Sequence, residues 1–341
     1  MRNTPAYDTQ FESVRVEAPA RLHLGFMDLN GSLGRRFGSL GLTLEGIATE
    51  IEVRPCRTLQ VEGPVSAQAR VLGCAATLIE KLGLPRGVCI RIHRAIPDHV
   101  GLGSGTQLTL AVAVALTRLY GIDLTTRRVA KLMNRGARSG IGIGAFDAGG
   151  FLIDGGRGAR NVPPPVILHT AFPETWRLLL VFDESGTGIH GSEEKAAFRA
   201  LPVFPAHQAA TLCRLVMMQA LPALAEQDCE SFGNAISRLQ QVVGDYFAPA
   251  QCGRYASPEV ARVLDWLAEQ DISGVGQSSW GPTGFAIIDS QLRADALLRA
   301  AEERFSDNPR LRFTLCRARN RGSRIRTVRK SASHMVLRAA M

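Results

Sequence analysis

Three glycines at alternate positions stand just before the longest apolar stretch of the chain. The segment from Pro97 to Thr106 reads PDHVGLGSGT and leads into QLTLAVAVALTRLYG. Glycine permits positive φ and close backbone approach, and the free N–H groups at a helix N-terminus attract anions. The pattern predicts a phosphate-binding loop, with a tight structural turn as the alternative. The residues that would contact phosphate are Gly101, Leu102, Gly103, Ser104, Gly105 and Thr106.

The two common nucleotide-loop signatures do not fit this segment. No lysine follows at the offset of a Walker A loop, and the glycine spacing differs from that of a dinucleotide-binding loop. A literal G-x-G-x-x-G occurs later, at Gly186 to Gly191, but no acidic residue follows it by about 20 positions to hold a ribose hydroxyl. We interpret it as a loop near the site, with Gly188 and His190 as candidate contacts.

A second charged segment, RLHLGFMDLNGSLGRR at residues 21–36, places basic side chains beside glycines. Arginine binds phosphate through two parallel hydrogen bonds, so Arg21, Arg35 and Arg36 are candidate phosphate contacts. The alternative is an ordinary hairpin with an Asn-Gly turn and solvated arginines. His23 is a candidate acid-base group, although a lone histidine more often serves as a hydrogen-bonding residue.

The basic charge of the chain is confined to its C-terminal end. The chain carries 40 Lys and Arg against 31 Asp and Glu, a formal net charge of +9. From Arg310 onward there are ten bases and no acid, so residues 1–309 hold 30 bases and 31 acids. This end could bind nucleic acid, but it lacks interleaved aromatic residues and a recognised module. We expect a solvated or disordered tail from about residue 320 and no nucleic-acid partner.

Cysteine usage and hydropathy indicate the compartment. The seven cysteines are scattered and never stand at metal-ligand spacing, which predicts buried thiols in a reducing environment. The longest apolar stretch, Leu108 to Leu116, is too short to cross a bilayer, and the N-terminus lacks the apolar region of a signal peptide. We expect a cytoplasmic protein with no membrane partner. Its 341 residues, 45% of them hydrophobic, can bury a large core.

The elements that position these residues can be read from the hydrophobic pattern. Alternation of apolar and polar residues predicts two short strands within 13–28, a strand at 48–55 and another at 88–94. The apolar run after the glycine loop predicts a buried helix. A threonine-capped helix is expected over 125–136.

The second half of the chain is predicted to be richer in helix. It begins after the prolines at 163–165 with a core strand at 176–182. Further helices are predicted at 193–200, 207–221, 223–243, 258–270 and 290–303, and further strands at 283–289 and 311–319. The pattern is typical of an α+β protein. We place a subdomain boundary near Pro165, which divides the chain into residues 1–165 and 166–341.

Three segments, taken in order, resemble the GHMP-kinase superfamily. They are Pro19-Ala20-Arg21 on an early strand, the glycine loop at 97–105, and the late motif GVGQSSWGPTG at 274–284. The resemblance covers nearly the whole chain and implies an α+β, GHMP-kinase-like fold of two subdomains. The N-terminal half would resemble domain 2 of ribosomal protein S5, and the helix-rich C-terminal half would be ferredoxin-like.

Four longer motifs resemble one family in that superfamily, the β-ribofuranosylaminobenzene 5′-phosphate synthases of methanopterin biosynthesis. They are RLHLGFMDLNGSLGRRFGSLGL, GIGIGAFDAGGFLIDGG, GTGIHGSEEKAAF and QSSWGPTG. The resemblance implies a pentosyltransferase that joins 5-phosphoribosyl 1-diphosphate to 4-aminobenzoate or a close analogue and releases carbon dioxide and diphosphate. Mg²⁺ is the implied cofactor, and no ATP is consumed.

The resemblance also implies roles for single residues. The stretch DLNGSLGR is the distinguishing element of the synthases, so Asp28 and Arg35 are the first candidates for catalysis, with His23 as an orienting or proton-handling residue. Asp28 is also the candidate Mg²⁺ ligand. The late motif contributes candidate substrate contacts, namely Gln277, Ser278 and Trp280. Trp280 would either stack on the aminobenzoate or pack in the core.

Two other functions remain open on the sequence. An ATP-dependent GHMP small-molecule kinase would use Asp147, which falls near the catalytic aspartate of such kinases, although the preceding glycine pattern differs. A nucleic-acid-binding protein would use the basic C-terminal end and show salt-sensitive binding. The superfamily resemblance also implies a possible homodimer.

Overall fold

The computed structural model describes residue 9 and residues 11–160, 162–186, 188, 191–251 and 253–330. Within these ranges seven strands form one sheet, four strands form a second, and ten α-helices pack against them. The α+β fold predicted from the sequence is confirmed. None of these described helices is long and apolar enough to cross a membrane.

Two long antiparallel strands form the centre of the first sheet. β1 (Phe11–Asp28) pairs with β2 (Phe37–Pro55) along most of its length. The prediction of two short strands in place of β1 was wrong, because the register shifts after Pro19 and again after His23 while the strand continues. Such bulges absorb an extra residue without ending a strand.

Five shorter strands complete the first sheet in the described part of the chain. The sheet order is β11-β1-β2-β4-β3, with β5 pairing β2 and β6 pairing β5. Their bounds are β3 (Gln60–Glu62), β4 (Val88–Arg94), β5 (Phe151–Asp154), β6 (Val166–Thr170) and β11 (Arg324–Arg329). The predicted strand at 88–94 is confirmed as β4.

The helices of the first half surround one buried helix. They are α1 (Val65–Leu82), α2 (Ser104–Leu119), α3 (Thr126–Leu132) and α4 (Ile141–Asp147). α2 contacts β1, β2 and the other three helices, and so nearly all of its residues after the first turn are buried. The buried helix after the glycine loop is confirmed. The predicted threonine cap is also present, since the Thr125 side chain accepts a hydrogen bond from the Arg128 N–H.

The second sheet has the order β10-β7-β9-β8. Its strands are β7 (Arg177–Asp183), β8 (Gly274–Gln277), β9 (Gly284–Ile288) and β10 (Leu311–Cys316). The helices of this half are α5 (Gly191–Ala200), α6 (Ala206–Leu215), α7 (Leu221–Glu226), α8 (Cys229–Gln251), α9 (Pro258–Glu269) and α10 (Gln291–Arg304), with a π-helical turn at Val216–Ala220. Sequence patterning missed β8, because its glycines lack the side chains that make a strand recognisable.

One continuous apolar core joins the two sheets. Leu22 of β1, Leu180 of β7 and Phe232 of α8 belong to the same cluster of buried residues. The predicted boundary at Pro165 falls between β5 and β6, inside the first sheet. The chain enters the second sheet at β7 and returns to the first at β11.

Part of the basic C-terminal end forms the strand β11, so the expectation of a disordered tail is corrected for these residues, while their side chains are solvated as expected. β11 pairs antiparallel with β1, with Arg326 opposite Arg15 and Arg324 opposite Glu17. All six of its side chains are exposed, so the sequence of β11 lacks the alternation of apolar and polar residues from which a strand is predicted. Backbone pairing with the edge of β1 holds this strand in place.

Candidate active site

The glycine loop enters α2 without a side-chain cap among the described residues. Gly103 occupies the N-cap position with φ of 82°. Its carbonyl accepts the N–H groups of Thr106 and Gln107, both at 3.1 Å. The N–H groups of Ser104 and Gly105 precede them at the open end of the helix. The first turn of α2 therefore has the geometry of an anion-binding helix end.

Arg21 of β1 lies against this loop. Its Nη1 donates to the carbonyl of Gly101, and its backbone N–H donates to the carbonyl of Leu102 at 3.1 Å. A Cβ at Gly103 would lie 3.2 Å from Arg21 Nε, so the loop approaches the arginine as closely as glycine allows. Burial lowers the pKa of Arg21 to about 10, which leaves it charged at neutral pH. The structure thus joins two of the predicted phosphate-binding segments.

Two further arginines approach the next glycine of the loop. The guanidinium nitrogens of Arg135 and Arg70 lie 3.3 and 3.8 Å from the position of a Cβ on Gly105. Arg70 pairs with Asp98, and Arg135 donates through Nε to Thr109 at 3.2 Å. Burial lowers the pKa of Arg70, and the nearby charge of Arg135 lowers it further. Two like charges held together at a helix N-terminus favour a bound anion.

The late motif closes over the opposite end of the loop. Ser278 Oγ donates to the carbonyl of Gly101 at 2.8 Å and accepts the backbone N–H of His23 at 3.0 Å. A Cβ at Gly101, where φ is 83°, would lie 2.3 Å from the Ser278 carbonyl oxygen. Glycine is therefore required there. The structure brings the predicted residue Ser278 to the loop, where it holds two backbone segments together.

Gln277 and Trp280 of the late motif are both buried, at 4% exposure each. The Gln277 side chain accepts the N–H of Ala256 at 2.7 Å and donates to the carbonyl of Ser279 at 3.2 Å, so its amide is engaged in structural bonds. The Trp280 ring packs on Phe247, with centroids 4.4 Å apart. Of the two roles predicted for Trp280, the described structure shows the packing role. Substrate contact stays a prediction for both residues.

Five aromatic side chains form one packed group, which we call the aromatic cluster: Phe26, Phe37, Phe198, Phe247 and Trp280. Phe198 of α5 connects Phe37 with Trp280 through ring contacts of 5.7 and 5.4 Å. The cluster therefore links the β1–β2 hairpin with the late motif, and it lies under α5.

Arg138 and Glu194 both contact the aromatic cluster, and the sequence had singled out neither. The Glu194 carboxylate pairs with Arg138 Nη1 at 2.5 Å and accepts the Trp280 indole N–H at 3.1 Å. The Arg138 guanidinium also lies 4.7 Å above the ring of Phe198. Both residues lie in motifs quoted for the resemblance or next to them. The Glu194 carboxylate opposes the effect of burial on the pKa of Arg21, which lies against the glycine loop at 101–105, here called the anion loop.

His23 is 3% exposed, and its two ring nitrogens have no hydrogen-bond partner among the described residues. The ring contacts Phe26 edge to face, with centroids 4.6 Å apart. Burial and, to a smaller extent, the charge of Arg21 lower the pKa of His23 to about 3, so the imidazole is neutral at pH 7. A small cavity of about 20 Å³ adjoins the ring, and Gln240 and Gln251 line it. The cavity has room for one water molecule but not for a substrate ring.

The aromatic cluster separates the hairpin residues Asp28, Arg35 and Arg36 from the late motif. Asp28 Oδ1 accepts the N–H groups of Asn30 and Gly31 at 2.8 Å each, which orders the turn. Arg35 donates to the carbonyl of Gly156 at 2.6 Å, and Arg36 donates to the carbonyl of Leu29 at 2.8 Å. No hydrogen bond or ion pair of the described residues links these three side chains to the anion loop. Their catalytic and phosphate-binding roles stay predictions.

The literal G-x-G-x-x-G segment lies beside the anion loop. The N–H of Gly188 donates to the carbonyl of His99 at 2.9 Å. A Cβ on Gly188 would lie 2.2 Å from the carbonyl oxygen of Gly281, which explains the glycine. The prediction for His190 falls on a residue outside the described ranges. The described part of this segment supports a loop near the site.

Asp147, the candidate kinase base, points away from the loop. It is exposed at the end of α4, and its carboxylate accepts a hydrogen bond from Thr126 Oγ1 at 2.7 Å. Gly142 of α4 lies against the first turn of α2, since a Cβ there would lie 2.9 Å from Thr106 Cγ2. Where α4 meets the anion loop, this chain therefore carries a glycine and no carboxylate.

Comparisons with known proteins agree with this geometry. Residues 69–155 match the model of the GHMP kinases N-terminal domain, and residues 220–307 match that of the GHMP kinases C-terminal domain. Among solved structures, the galactokinase of Lactococcus lactis, solved with galactose, has a TM-score of 0.67 at 13% identity and covers 92% of this chain and 95% of its own. That likeness shows the shared fold.

Two archaeal relatives, both named β-ribofuranosylphenol 5′-phosphate synthase, match nearly the whole chain. The protein of Archaeoglobus fulgidus is 35% identical over 92% of this chain and 99% of its own length. That of Methanocaldococcus jannaschii is 32% identical over 81% of this chain and 90% of its own. The chain therefore belongs to the β-ribofuranosylphenol 5′-phosphate synthase family, a branch of the GHMP-kinase fold.

Proposed function

We propose that this protein forms a carbon–carbon bond between C1 of a ribose 5-phosphate and an aromatic ring, as a step of methanopterin biosynthesis. The donor is 5-phosphoribosyl 1-diphosphate, and the acceptor is a benzoate with an electron-donating group para to its carboxylate. The observation that carries the proposal is the match, at 35% identity over 92% of the chain, to a relative named for such a product. The arginines around the anion loop support a donor with several phosphate groups.

In the proposed reaction the C1–O bond of the donor breaks, and its electron pair leaves with diphosphate. The ring carbon that bears the carboxylate attacks C1, and the carbon–carboxylate bond then breaks. Its electron pair restores the aromatic ring as carbon dioxide departs. The main tasks of the protein are to stabilise diphosphate and to keep water from the cationic carbon.

The anion loop, Arg21, Arg70 and Arg135 are suited to the first task. Loop N–H groups and guanidinium groups stabilise charge that develops on a leaving diphosphate, and they need no reorganisation during the reaction. The aromatic cluster is suited to the second task, since closely packed rings exclude water.

We propose Mg²⁺ as the metal that accompanies the donor, in keeping with its preference for phosphate oxygens and few protein ligands. In the described ranges, no three His, Cys, Asp or Glu side chains come together as a metal cage. This fits a metal held mainly by diphosphate. One oxygen of Asp28 caps its turn, so the other is the one that could reach a metal. When bound, Mg²⁺ would neutralise charge on the leaving group.

The acceptor could carry either of two para substituents. The names of the relatives specify a phenol, which corresponds to 4-hydroxybenzoate, whereas the motif resemblance suggested 4-aminobenzoate. Both groups donate electrons to the carbon that attacks C1. The proposal therefore covers both acids, and the assay below compares them.

The kinase alternative has one observation in its favour, the shared fold. Against it, Asp147 is bonded to Thr126 and exposed, while glycine stands where α4 meets the loop. A kinase needs a group that orients or deprotonates the attacking hydroxyl. We therefore rank the synthase first, and ATP turnover would separate the two.

We further propose that the enzyme works in the cytoplasm and can form a homodimer. The six cysteines within the described residues are free thiols, as expected in a reducing compartment. Size-exclusion chromatography with light scattering would test the dimer. A concentration-independent monomer would contradict it.

The deciding experiment supplies purified protein with Mg²⁺, 5-phosphoribosyl 1-diphosphate and either carboxyl-labelled 4-hydroxybenzoate or carboxyl-labelled 4-aminobenzoate. Labelled carbon dioxide and diphosphate are measured together. The proposal expects both products in equal amounts, with no ATP requirement. Asp28→Asn keeps the oxygen that orders the hairpin turn and removes the charge, so its activity tests the predicted role of Asp28. Folded wild-type protein that releases neither product would refute the synthase.

A further inference from the structure

Glu194 stands out as a carboxylate placed among cations at the anion loop. It lies on α5, pairs with Arg138 at 2.5 Å and accepts the Trp280 indole N–H at 3.1 Å. The side chains of Glu194 and Arg138 are each 24% exposed, so water screens this pair only in part. Its neighbour Glu193 on the same helix is exposed.

Glu194 also acts on Arg21. Burial lowers the pKa of Arg21, and the Glu194 carboxylate opposes that effect, which places the two charges within electrostatic reach. Arg21 in turn donates to the carbonyl of Gly101 in the anion loop. One carboxylate thus interacts with two arginines, with Arg138 in an ion pair and with Arg21 through its charge.

A carboxylate in this position lowers the affinity of the site for phosphate, so it should have a functional role. A negative charge beside the anion loop repels a phosphate ligand and competes with it for the guanidinium groups. The Trp280 hydrogen bond alone would not require a charge, because a neutral glutamine could accept that N–H equally well. The charge is balanced by Arg138, with which Glu194 pairs, and acts on Arg21.

We propose that Glu194 stabilises the positive charge that develops at C1 of the ribosyl donor, and that it serves as the counter-ion of Arg21 and Arg138 until the donor binds. This inference rests on the proposed function for its first part. As the C1–O bond breaks, its electron pair leaves with diphosphate and C1 becomes cationic. The arginines then contact diphosphate, and the Glu194 carboxylate faces the cation without forming a bond to it.

The two tasks predict opposite effects of one substitution. Removing the charge of Glu194 frees both arginines, so inorganic diphosphate should bind more tightly. The same change removes the group that stabilises the cationic carbon, so kcat should fall. A residue that merely positioned Arg138 would weaken anion binding and turnover together.

The test uses Glu194→Gln, which keeps size and hydrogen bonding, and Glu194→Asp, which keeps the charge. Glu193→Gln on the same helix is the matched control. Calorimetry measures the affinity for inorganic diphosphate, and steady-state assays separate kcat from KM. For Glu194→Gln we expect diphosphate affinity to rise about 5-fold and kcat to fall about 100-fold. Glu194→Asp should retain at least about 10 times more activity than the glutamine variant.

Three results would overturn the proposal. Diphosphate affinity that falls in parallel with kcat would leave Glu194 as a positioning residue only. An unchanged kcat in Glu194→Gln would show that Glu194 does not stabilise the charge at C1. A glutamine variant that is more active than Glu194→Asp would show the same. If wild-type protein turns over no donor, the proposed function fails instead, and the calorimetric comparison still shows whether Glu194 is the counter-ion of the arginines.

Discussion

Ser278 donates a hydrogen bond from its hydroxyl to the carbonyl oxygen of Gly101 at 2.8 Å, across 177 positions of sequence. The same hydroxyl accepts the backbone N–H of His23 at 3.0 Å. One fully buried side chain thus connects the late motif, the anion loop and β1. The position of the phosphate-binding loop depends on the second half of the chain as much as on the first.

Replacing Ser278 with alanine is expected to loosen the anion loop. The change leaves the carbonyl of Gly101 and the N–H of His23 without their buried partner, which should lower the free energy of unfolding by about 1–3 kcal/mol. The KM for 5-phosphoribosyl 1-diphosphate should rise, because loop N–H groups no longer hold their position. Denaturant unfolding and steady-state kinetics check the two effects.

The matched control is Ser279→Ala. The Ser279 hydroxyl has no hydrogen bond to any described residue, so this variant should behave like wild type. Equal effects of the two substitutions would show that the hydroxyl of Ser278 has no special importance.

Replacing Arg135 with glutamine is expected to weaken donor binding. Arg135 stands beside Arg70 at Gly105, and removing one of two adjacent cations lowers the attraction for phosphate. We expect the KM for the donor to rise about 5- to 10-fold, with a smaller effect on kcat, as for a lost charge-assisted hydrogen bond. Steady-state kinetics at two salt concentrations measures it.

Arg128→Gln serves as the control for this prediction, since Arg128 is exposed on α3 and its hydrogen bond to Thr125 is made by the backbone N–H. A KM that rises equally in both variants would indicate a general effect of surface charge. A KM unchanged in Arg135→Gln would exclude Arg135 from the donor site.

The buried imidazole of His23 predicts a pH dependence of stability. The pKa of His23 is about 3 in the folded protein and about 6.5 when unfolded, so between these values only the unfolded chain binds the proton. The contribution of the neutral, buried imidazole to the free energy of unfolding is complete above about pH 6.5, and it is lost as the pH falls toward 3. Between these two values, the free energy of unfolding should increase with pH by nearly 1.4 kcal/mol per pH unit, which is about the limit for one proton.

His23→Asn should flatten this slope, because asparagine does not titrate. Urea unfolding at several pH values from 4 to 7.5 measures it, with about 0.5-unit steps sufficing for a one-proton slope. His169→Asn, at an exposed position of β6, is the control and should keep the wild-type slope. Superimposable slopes in wild type and His23→Asn would show that His23 titrates normally.

Removing β11 is expected to destabilise the first sheet. A chain that ends after Ser323 loses the strand paired with β1 and leaves that edge open, at a cost on the order of 2 kcal/mol. Substituting Arg326 by glutamine should cost nothing, because it lies opposite Arg15, a like charge. Guanidinium unfolding compares the variants.

The nucleic-acid alternative instead predicts an effect of both variants on DNA binding. There, Arg326→Gln would weaken salt-sensitive binding to a DNA duplex, and truncation would abolish it. Salt-dependent DNA binding by wild type that is lost in both variants would favour that function over a purely structural strand.

Local patterns in the sequence were enough to locate the anion loop, the buried helix α2 and the strand β4. These signals are local: glycines allow the backbone of the loop, and an apolar run of this length fits a buried helix. Family resemblance added the fold and the reaction class. The strand β11 escaped prediction because its exposed arginines carry no burial pattern.

The sequence by itself predicted that glycines and arginines would form an anion site, because residue types and spacing set that chemistry. Only the tertiary structure decided which arginines approach the glycine loop. Arg70 and Arg135 come from separate segments, and no local pattern reports that both side chains lie near Gly105. The fold also decided that Glu194 pairs with Arg138 and that His23 is buried and neutral. Such placements depend on long-range packing, which pairs residues far apart in the chain.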